Sequence, residues 1–83
     1  MNTSQRIKRN GYVEWKLPDG TRHREDGPAV IYGNGDQSWY WYGKLHRTDG
    51  PAIIKSNGAK EYWLDHLRYD PVTYLIKRYE YKL

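Results

Sequence analysis

The stretch His46-Arg47-Thr48-Asp49-Gly50-Pro51-Ala52 is a second copy, with one difference, of His23-Arg24-Glu25-Asp26-Gly27-Pro28-Ala29. Around these stretches, ten of the nineteen positions in 20–38 are identical to their counterparts in 43–61. A sequence that repeats at a fixed period indicates a structural unit that occurs more than once. We therefore divide the chain into units at about 15–38 and 39–61, followed by a third, partial unit.

Asn-Gly turns and proline corners mark where each unit changes direction. Asn34-Gly35 and Asn57-Gly58 are typical of tight hairpins, and we expect type I′ turns with positive φ at both central residues. The Asp-Gly-Pro corners at 26–28 and 49–51 cannot continue a central strand, because proline has no N–H to donate. This spacing predicts an antiparallel β-meander of about six short strands over residues 10–69, in a mainly β (α+β) protein.

The last fourteen residues change to a helical period. Asp70 is a favourable N-cap, and Pro71 at the first helical position supports one helix over residues 70–83. Its apolar positions at i, i+3, i+4, i+7 and i+11 are Val72, Leu75, Ile76, Tyr79 and Leu83. We expect this apolar side to dock the helix on one face or end of the sheet, where it also covers an edge. Residues 1–9 are expected to form a basic segment ahead of the sheet.

The composition limits the class of protein. Eighty-three residues form one domain at most, and a mean hydropathy of −1.08 is by itself typical of disorder. Four Trp and nine Tyr counter that indication, because large rings can build a small core. The absence of Cys excludes disulfides and thiolate metal sites, and no apolar run has the length of a membrane span. We expect a soluble protein of the cytoplasm, the host cytoplasm if it is viral, with no membrane partner.

Residues that recur in the repeat are expected to be structural, because the fold demands the same residue in each unit. We assign this role to Trp15, His23, Arg24, Asp26, Trp39, His46, Arg47, Asp49 and Tyr62. Each Asp is expected to accept backbone N–H groups at its corner. Each Arg is expected to pair with that Asp and to stack on a Trp. The aromatic residues of this set are expected in the core.

Catalytic and metal sites are not expected in this chain. The His residues at positions 23 and 46 lie one unit apart, and His66 is out of alignment with both, so the three are not expected to converge on a metal ion. The sequence contains no phosphate loop, nucleophile motif or helical metal-binding pair. We expect no enzymatic activity and no cofactor.

The repeats resemble those of a viral family. Residues 39–52 and 23–29 are similar to the unit W-Y-x-N-G-K-x-H-R-x-D-G-P-A of small bacteriophage and large-virus proteins, a variant of the MORN-like β-hairpin repeat. The resemblance covers residues 12 to about 70 and implies a sheet of stacked hairpins. Tyr42 departs from it, since Asn is usual there, and so does Asp65-His66 in the third unit. By analogy the resemblance implies a host-takeover factor, and it carries over no catalytic residue.

Positions that differ between the units are the candidates for binding. Trp41 and Tyr42 are extra aromatic residues beside a turn, and aromatic and basic side chains are common anchors of interfaces. The candidate partner-binding residues are Trp41, Tyr42, Lys44, Lys55, Lys60, Arg68, Lys77 and Arg78. We expect a counter-defence inhibitor that binds a host protein such as a nuclease, a toxin or another defence effector.

Two alternatives to this function remain open at the level of sequence. The net charge of +4 and the many Tyr also fit a module that binds RNA or single-stranded nucleic acid, in one version with RNA bridging the protein contact. Open sheet edges also fit association between copies of the chain as a homo-oligomer. The dependence of binding on salt separates a nucleic-acid partner from a protein partner.

Overall fold

The computed structural model describes residues 3–82 and consists mainly of antiparallel β-strands. The strands are β1 (Gln5–Lys8), β2 (Tyr12–Lys16), β3 (Val30–Tyr32), β4 (Gln37–Ser38), β5 (Tyr40–Trp41), β6 (Lys44–Leu45), β7 (Ile53–Ile54), β8 (Lys60–Leu64) and β9 (Leu67–Tyr69). Two helical segments follow, α1 (Pro71–Lys77) and α2 (Tyr79–Lys82). Seven strands form one sheet in the order β1-β2-β3-β4-β7-β8-β9, and β5 pairs with β6 in a separate ribbon. The prediction of a mainly β, antiparallel protein with a C-terminal helix is confirmed.

The number and the start of the strands differ from the prediction. Within residues 3–82, nine strands replace the expected six, because the chain leaves the main sheet at Trp39, between β4 and β5. At the other end, Gln5–Lys8 is an edge strand that pairs with β2. The prediction that residues 1–9 precede the sheet is therefore wrong for residues 5–8, and residues 1–2 lie outside the described part. Basic side chains suit such an edge, because their charge opposes pairing with another chain.

The type I′ geometry occurs at different turns from those predicted. In Asn34-Gly35 and Asn57-Gly58 only the glycine has positive φ, +98° and +92°. Each of these Asn side chains accepts a hydrogen bond from the backbone N–H two residues later, at 2.9 Å in both turns. Positive φ at two successive residues is found instead in Tyr42-Gly43 and Asp65-His66. The Asn-Gly turns differ because the asparagine side chain stabilises its own turn without leaving the ordinary backbone region.

At the proline corners, an arginine lies over an aromatic ring in both units. The guanidinium carbon of Arg24 is 3.8 Å from the ring centre of Trp15, and that of Arg47 is 4.0 Å from Trp39. Each guanidinium also donates from Nη1 to the carbonyl of its own corner proline, at 3.1 Å. Arg24 pairs in addition with Asp26 at 3.0 Å. A Cβ at Gly27 would lie 2.9 Å from the Arg24 guanidinium carbon, so a larger residue before the proline would have to displace the guanidinium from its position over Trp15.

The core is small because the molecule is one sheet thick, with extents of 36 × 34 × 17 Å. Its buried side chains are Ala29, Val30, Ala52, Leu64 and Tyr74, with the polar Glu14, His23 and Ser38. Trp15, Trp39 and Tyr62 are only half-buried. The prediction that these rings lie in the core is therefore wrong, because each keeps part of its surface exposed. A single sheet has no second layer to enclose a large ring. Arginine covers one side of each indole instead, and Tyr74 covers Tyr62.

The helix packs with the side opposite to the predicted one. Tyr74 is the buried residue of α1, and its ring centre is 4.8 Å from that of Tyr62 on β8. The residues expected to pack are exposed, namely Val72, Leu75, Ile76 and Tyr79, and Leu83 lies outside the described part. The reason is polar: the one proton of the Tyr74 hydroxyl is shared between the carbonyl oxygens of Arg47 and Gly50, and the hydroxyl oxygen accepts the N–H of Gly50. Apolar spacing cannot reveal such an anchor.

The start of the helix agrees with the sequence, whereas its continuity does not. The Asp70 carboxylate accepts the N–H groups of Thr73 at 3.0 Å and Val72 at 3.1 Å, and these bonds hold the pKa of Asp70 below its ordinary value. Arg78 separates α1 from α2, so two short segments replace the single helix predicted over 70–83. Among the described residues, no helix combines the length and the apolar character needed to cross a membrane.

Candidate functional site

A groove of about 510 Å³ lies where the β5–β6 ribbon, the second proline corner and α2 meet. We call it the corner groove. It is lined by Glu25, Trp41, Lys44, His46, Arg47, Thr48, Asp49, Asp65 and Tyr81. Its volume falls within the range of roughly 300–1,000 Å³ that is typical of ligand pockets. Its lining comes from segments far apart in the chain, so only the folded protein assembles it.

The β5–β6 ribbon presents two aromatic rings that rest on a buried histidine. His23 Nδ1 accepts the backbone N–H of Tyr42 at 3.0 Å. The imidazole lies 4.6 Å from the Trp41 ring and 4.1 Å from the Tyr42 ring, measured between centroids. His23 is fully buried, whereas Trp41 and Tyr42 are 41% and 42% exposed. Each ring therefore packs against His23 and is also partly open to the surface.

His46 accepts a backbone N–H in the same way one unit later, but a different aromatic ring packs against its imidazole. Its Nδ1 accepts the backbone N–H of Asp65 at 2.9 Å. Asp65 stands where Tyr42 stands in the preceding unit, so this turn supplies no ring. Tyr81 of α2 takes that place, with its ring centre 5.2 Å from the imidazole. Burial lowers the pKa of His46 against the opposing charge of Asp65, which keeps Nδ1 able to accept.

Charges of both signs surround the corner groove. Lys44 Nζ lies 3.1 Å from an Asp65 carboxylate oxygen, and the Glu25 carboxylate lies 3.6 Å from His23 Nε2. Arg47 is engaged with Trp39 and with its own corner. Three carboxylates and two permanent cations line the groove. This balance suits the mixed charges of a protein surface better than a phosphate backbone, which requires an excess of cations.

A second groove, of about 430 Å³, lies beside the edge strand β9, and we call it the edge groove. It is lined by Lys60, Glu61, Tyr62, Arg68, Tyr69, Asp70 and Pro71. Lys60 and Arg68 are exposed, and the nearby Lys55 pairs with Glu61 at 3.8 Å. The two rings and two exposed cations of this groove can stack bases and contact phosphates, although the carboxylates of Glu61 and Asp70 equal those cations in number.

The structure distributes the eight candidate partner-binding residues over three places. Trp41 and Lys44 line the corner groove, and Tyr42 lies next to Trp41. Lys60 and Arg68 line the edge groove, and Lys55 lies beside it. Lys77 lies on the exposed side of α1. Arg78 is a correction, because it is half-buried and its Nη1 donates to the carbonyl of Thr48 at 3.1 Å. It anchors the helix to the corner rather than facing a partner.

Four residues of the corner groove were not among the candidates from sequence, namely Glu25, Thr48, Asp65 and Tyr81. Glu25 and Asp65 are positions at which the units differ, with Thr48 and Tyr42 as their counterparts. The comparison that selected Trp41 could therefore have selected them as well. Tyr81 carried no signal in the sequence, because its place depends on which side of the helix faces the sheet.

A buried carboxylate outside both grooves joins the first hairpin to the segment that follows it. Glu14 receives Arg9 Nε at 2.9 Å and Arg22 Nε at 3.0 Å, and Lys16 Nζ lies 3.6 Å away. Burial by itself raises the pKa of Glu14, but the hydrogen bonds from Arg9 and Arg22 outweigh it and lower that pKa below its ordinary value. Glu14 thus stays ionised and links β2 to residue 22, which is a structural role.

No group of three or more His, Cys, Asp or Glu side chains within residues 3–82 is arranged to hold a metal ion. Comparisons of the chain with protein-family models, with curated proteins and with solved structures found no match. The grooves of this chain are thus the basis for inferring its function.

Proposed function

We propose that the chain is a non-enzymatic binding protein, an inhibitor of the phage type that attaches to a host protein through the corner groove. The observation that carries the proposal is the pair of partly exposed rings, Trp41 and Tyr42, held on the buried His23. Rings of this kind are frequent hot spots of protein interfaces. Because they are positioned before binding, little conformational entropy is lost when a partner arrives.

The class of target is supported by the resemblance of the repeats to those of bacteriophage and large-virus proteins. That resemblance favours a host-takeover or counter-defence role, with a nuclease, a toxin or another defence effector as the target. The host cytoplasm is then the compartment of action. A sheet one layer thick favours binding at a surface over catalysis in an enclosed pocket.

The test is affinity capture from nuclease-treated lysate of bacterial host cells, with the full chain as bait. The variant Trp41→Ala removes a ring of the corner groove, and Tyr32→Ala removes an exposed ring outside it. We expect one host protein to be retained by the wild type and by Tyr32→Ala, and at least about tenfold less of it by Trp41→Ala. Each bait must first show cooperative unfolding, so that a folding defect is recognised.

Two outcomes contradict the proposal in different ways. Equal retention by Trp41→Ala and the wild type shows that the target does not use the corner groove. Capture that disappears for every bait after nuclease treatment shows that nucleic acid, not a protein, is the primary partner.

A second candidate function is the binding of RNA or single-stranded nucleic acid at the edge groove, with RNA bridging a protein contact in one form. It is favoured by Tyr62 and Tyr69 beside the exposed Lys60 and Arg68. Affinity for a single-stranded oligonucleotide should then fall about tenfold between about 50 and about 200 mM salt. The double variant Lys60→Glu with Arg68→Glu should abolish it, whereas Trp41→Ala should not. No binding at low salt removes this candidate.

A further inference from the structure

The outer side of the C-terminal helix is an exposed apolar surface. Val72, Leu75 and Ile76 of α1 are 70%, 55% and 67% exposed, and Tyr79 of α2 is 60% exposed. Their positions i, i+3, i+4 and i+7 follow the spacing of one helix face across the two segments. We call these four residues the helix patch.

The helix patch is not required to hold the helix on its own sheet. Tyr74 is tied to the second corner through its hydroxyl, Arg78 donates to the Thr48 carbonyl, and Tyr81 packs on His46. These anchors lie on the other side of the helix from the patch. Several apolar side chains on one helix face are rarely left in water without a partner. The patch is therefore available for association.

The charges around the helix patch favour a second copy of this chain as the occupant. The protein carries a net charge of +4, yet Lys77 beside the patch pairs with Glu80 at 3.8 Å. The Arg78 guanidinium carbon lies 5.4 Å from the ring centre of Tyr79, and its Nη1 donates to the Thr48 carbonyl at 3.1 Å. Both of these cations are thus engaged within their own copy, so two patches can meet without bringing these charges unpaired against each other. An acidic protein or a nucleic acid would instead need unpaired cations at this surface.

The area of the helix patch is sufficient for a weak dimer. Four side chains exposed by 55–70% present about 110 Å² each, and two facing patches together bury about 900 Å². That total is near the lower limit of specific interfaces, at which association is concentration-dependent. Apolar surfaces that meet their own copy form an isologous contact with two-fold symmetry.

We propose that two copies of the chain associate through their helix patches, with the two helices antiparallel about a two-fold axis near residues 75 and 76. The corner groove is lined from the opposite side of the helix, by Tyr81. The dimer therefore leaves both corner grooves open and presents two binding sites on one particle. This proposal does not depend on the identity of the partner in the corner groove.

Analytical ultracentrifugation of the full chain between about 1 µM and about 1 mM tests the proposal, because a small apolar interface gives a dissociation constant in the micromolar range or weaker. We expect a monomer–dimer equilibrium for the wild type and for Tyr32→Ser, whose exposed ring lies outside the patch. The double variant Leu75→Ser with Ile76→Ser should be monomeric and keep its circular dichroism spectrum. A monomeric wild type overturns the proposal, and so does a dimer that persists in the double variant.

Site-specific crosslinking provides a second measurement, because the wild-type chain has no cysteine. The variant Ile76→Cys places its only thiol near the proposed two-fold axis, and oxidation with diamide should give a disulfide-linked dimer. Ser56→Cys, on an exposed hairpin turn, is the matched control and should crosslink at least about tenfold more slowly. Equal crosslinking of the two variants contradicts the proposed geometry.

A lipid surface is the other occupant that an amphipathic helix can have. Flotation with vesicles of phosphatidylcholine and phosphatidylserine distinguishes it from a second copy. A wild type that is monomeric in solution but floats with these vesicles, and that loses flotation in the double variant, overturns the dimer and assigns the patch to a membrane.

Discussion

His23 and His46 each use Nδ1 to accept the backbone N–H of a residue nineteen positions later, in the turn of the next hairpin. The residues that donate these N–H groups, Tyr42 and Asp65, have φ of +49° and +51°. Such values are unfavourable for residues other than glycine, at about 1–3 kcal/mol each. The imidazole therefore stabilises a strained turn, and it can do so only while Nδ1 is unprotonated. The histidine of the repeat thus has a backbone-supporting role in both units.

Protonation of His46 should destabilise the protein. Its folded-state pKa lies below the ordinary value of 6.5 because of burial, opposed by Asp65. The stabilisation is therefore complete above about pH 6.5 and is lost as the pH falls through the folded-state pKa, because the unfolded chain binds the proton more readily. Urea unfolding at pH 7.5 and at pH 5 should show a lower free energy of unfolding at pH 5.

The variant His46→Gln separates this effect from the titration of other groups. It keeps an acceptor but has no titratable ring, so its loss of stability between pH 7.5 and pH 5 should be smaller than that of the wild type. An identical pH dependence in the variant would show that His46 is not responsible.

Trp39 is half-buried and carries the Arg47 guanidinium on one side, at 4.0 Å. We expect Trp39→Ala to reduce the free energy of unfolding by about 2–3 kcal/mol, less than for an enclosed tryptophan. Trp41→Ala is the control, since its ring is 41% exposed and no arginine of residues 3–82 lies over it. Its effect in the same urea titration should be less than half as large. A larger loss for Trp41→Ala would contradict this account of the corners.

At the scale of elements, the C-terminal helix shows where a sequence pattern is insufficient. Its start was predicted from Asp70 and Pro71, because capping is a local interaction between neighbours in the chain. Its buried side was predicted wrongly, because the apolar spacing identified Val72 and Ile76 while a tyrosine hydroxyl decided the packing. The edge strand Gln5–Lys8 was missed for a similar reason, since its pairing depends on β2 and not on its own apolar content.

The variant Tyr74→Phe tests the polar anchor of the helix. It removes the hydroxyl that bonds to the carbonyl groups of Arg47 and Gly50 and leaves the part-buried backbone N–H of Gly50 without that acceptor. We expect a loss of about 1–3 kcal/mol in the free energy of unfolding, measured by urea titration of dilute protein. Val72→Ala, on the exposed side, should change it by less than about 0.5 kcal/mol. A larger loss for Val72→Ala than for Tyr74→Phe would instead support the buried side of the helix that the sequence predicted.

The whole molecule is a short array of hairpin units with a different element at each end. Successive units repeat the same contacts, an arginine on an indole and a histidine under a turn. After the second unit, Tyr62 replaces the tryptophan, and the helix supplies Tyr74 and Tyr81 in place of a further unit. Arrays of this kind require capping elements, because the last unit would otherwise expose its apolar contacts. The helix is therefore part of the fold rather than an appendage.

Removal of residues 70–83 should abolish cooperative unfolding, because the second corner loses the anchors made by Tyr74 and Arg78. Removal of residues 79–83 alone keeps Tyr74 and Arg78, and this shorter truncation should unfold cooperatively at a lower midpoint. Thermal melts followed by circular dichroism distinguish the two. A 1–69 fragment with the melting temperature of the full chain would show that the helix does not cap the array.

The candidate site was only partly predictable from the sequence, because part of it is assembled by contacts between distant segments. Differences between units identified Trp41 and Lys44, because a position that the repeat leaves variable is available for another role. Tyr81, which completes the corner groove, could not be found, since it lies 35 residues beyond His46 and reaches it only when the helix folds back.

The amino-acid sequence by itself determined the repeat, the antiparallel sheet, the corners and the start of the helix. These features depend on turn residues, strand alternation and capping, which act between neighbours along the chain. Only the tertiary structure decided which side of the helix is buried, which turns take positive φ at two residues, and which side chains meet in the corner groove. Each of those outcomes depends on hydrogen bonds and ring contacts between distant segments, such as Tyr74 with Gly50 and His23 with Tyr42. The free energy of those long-range contacts outweighs the local conformational preferences that can be read from the sequence.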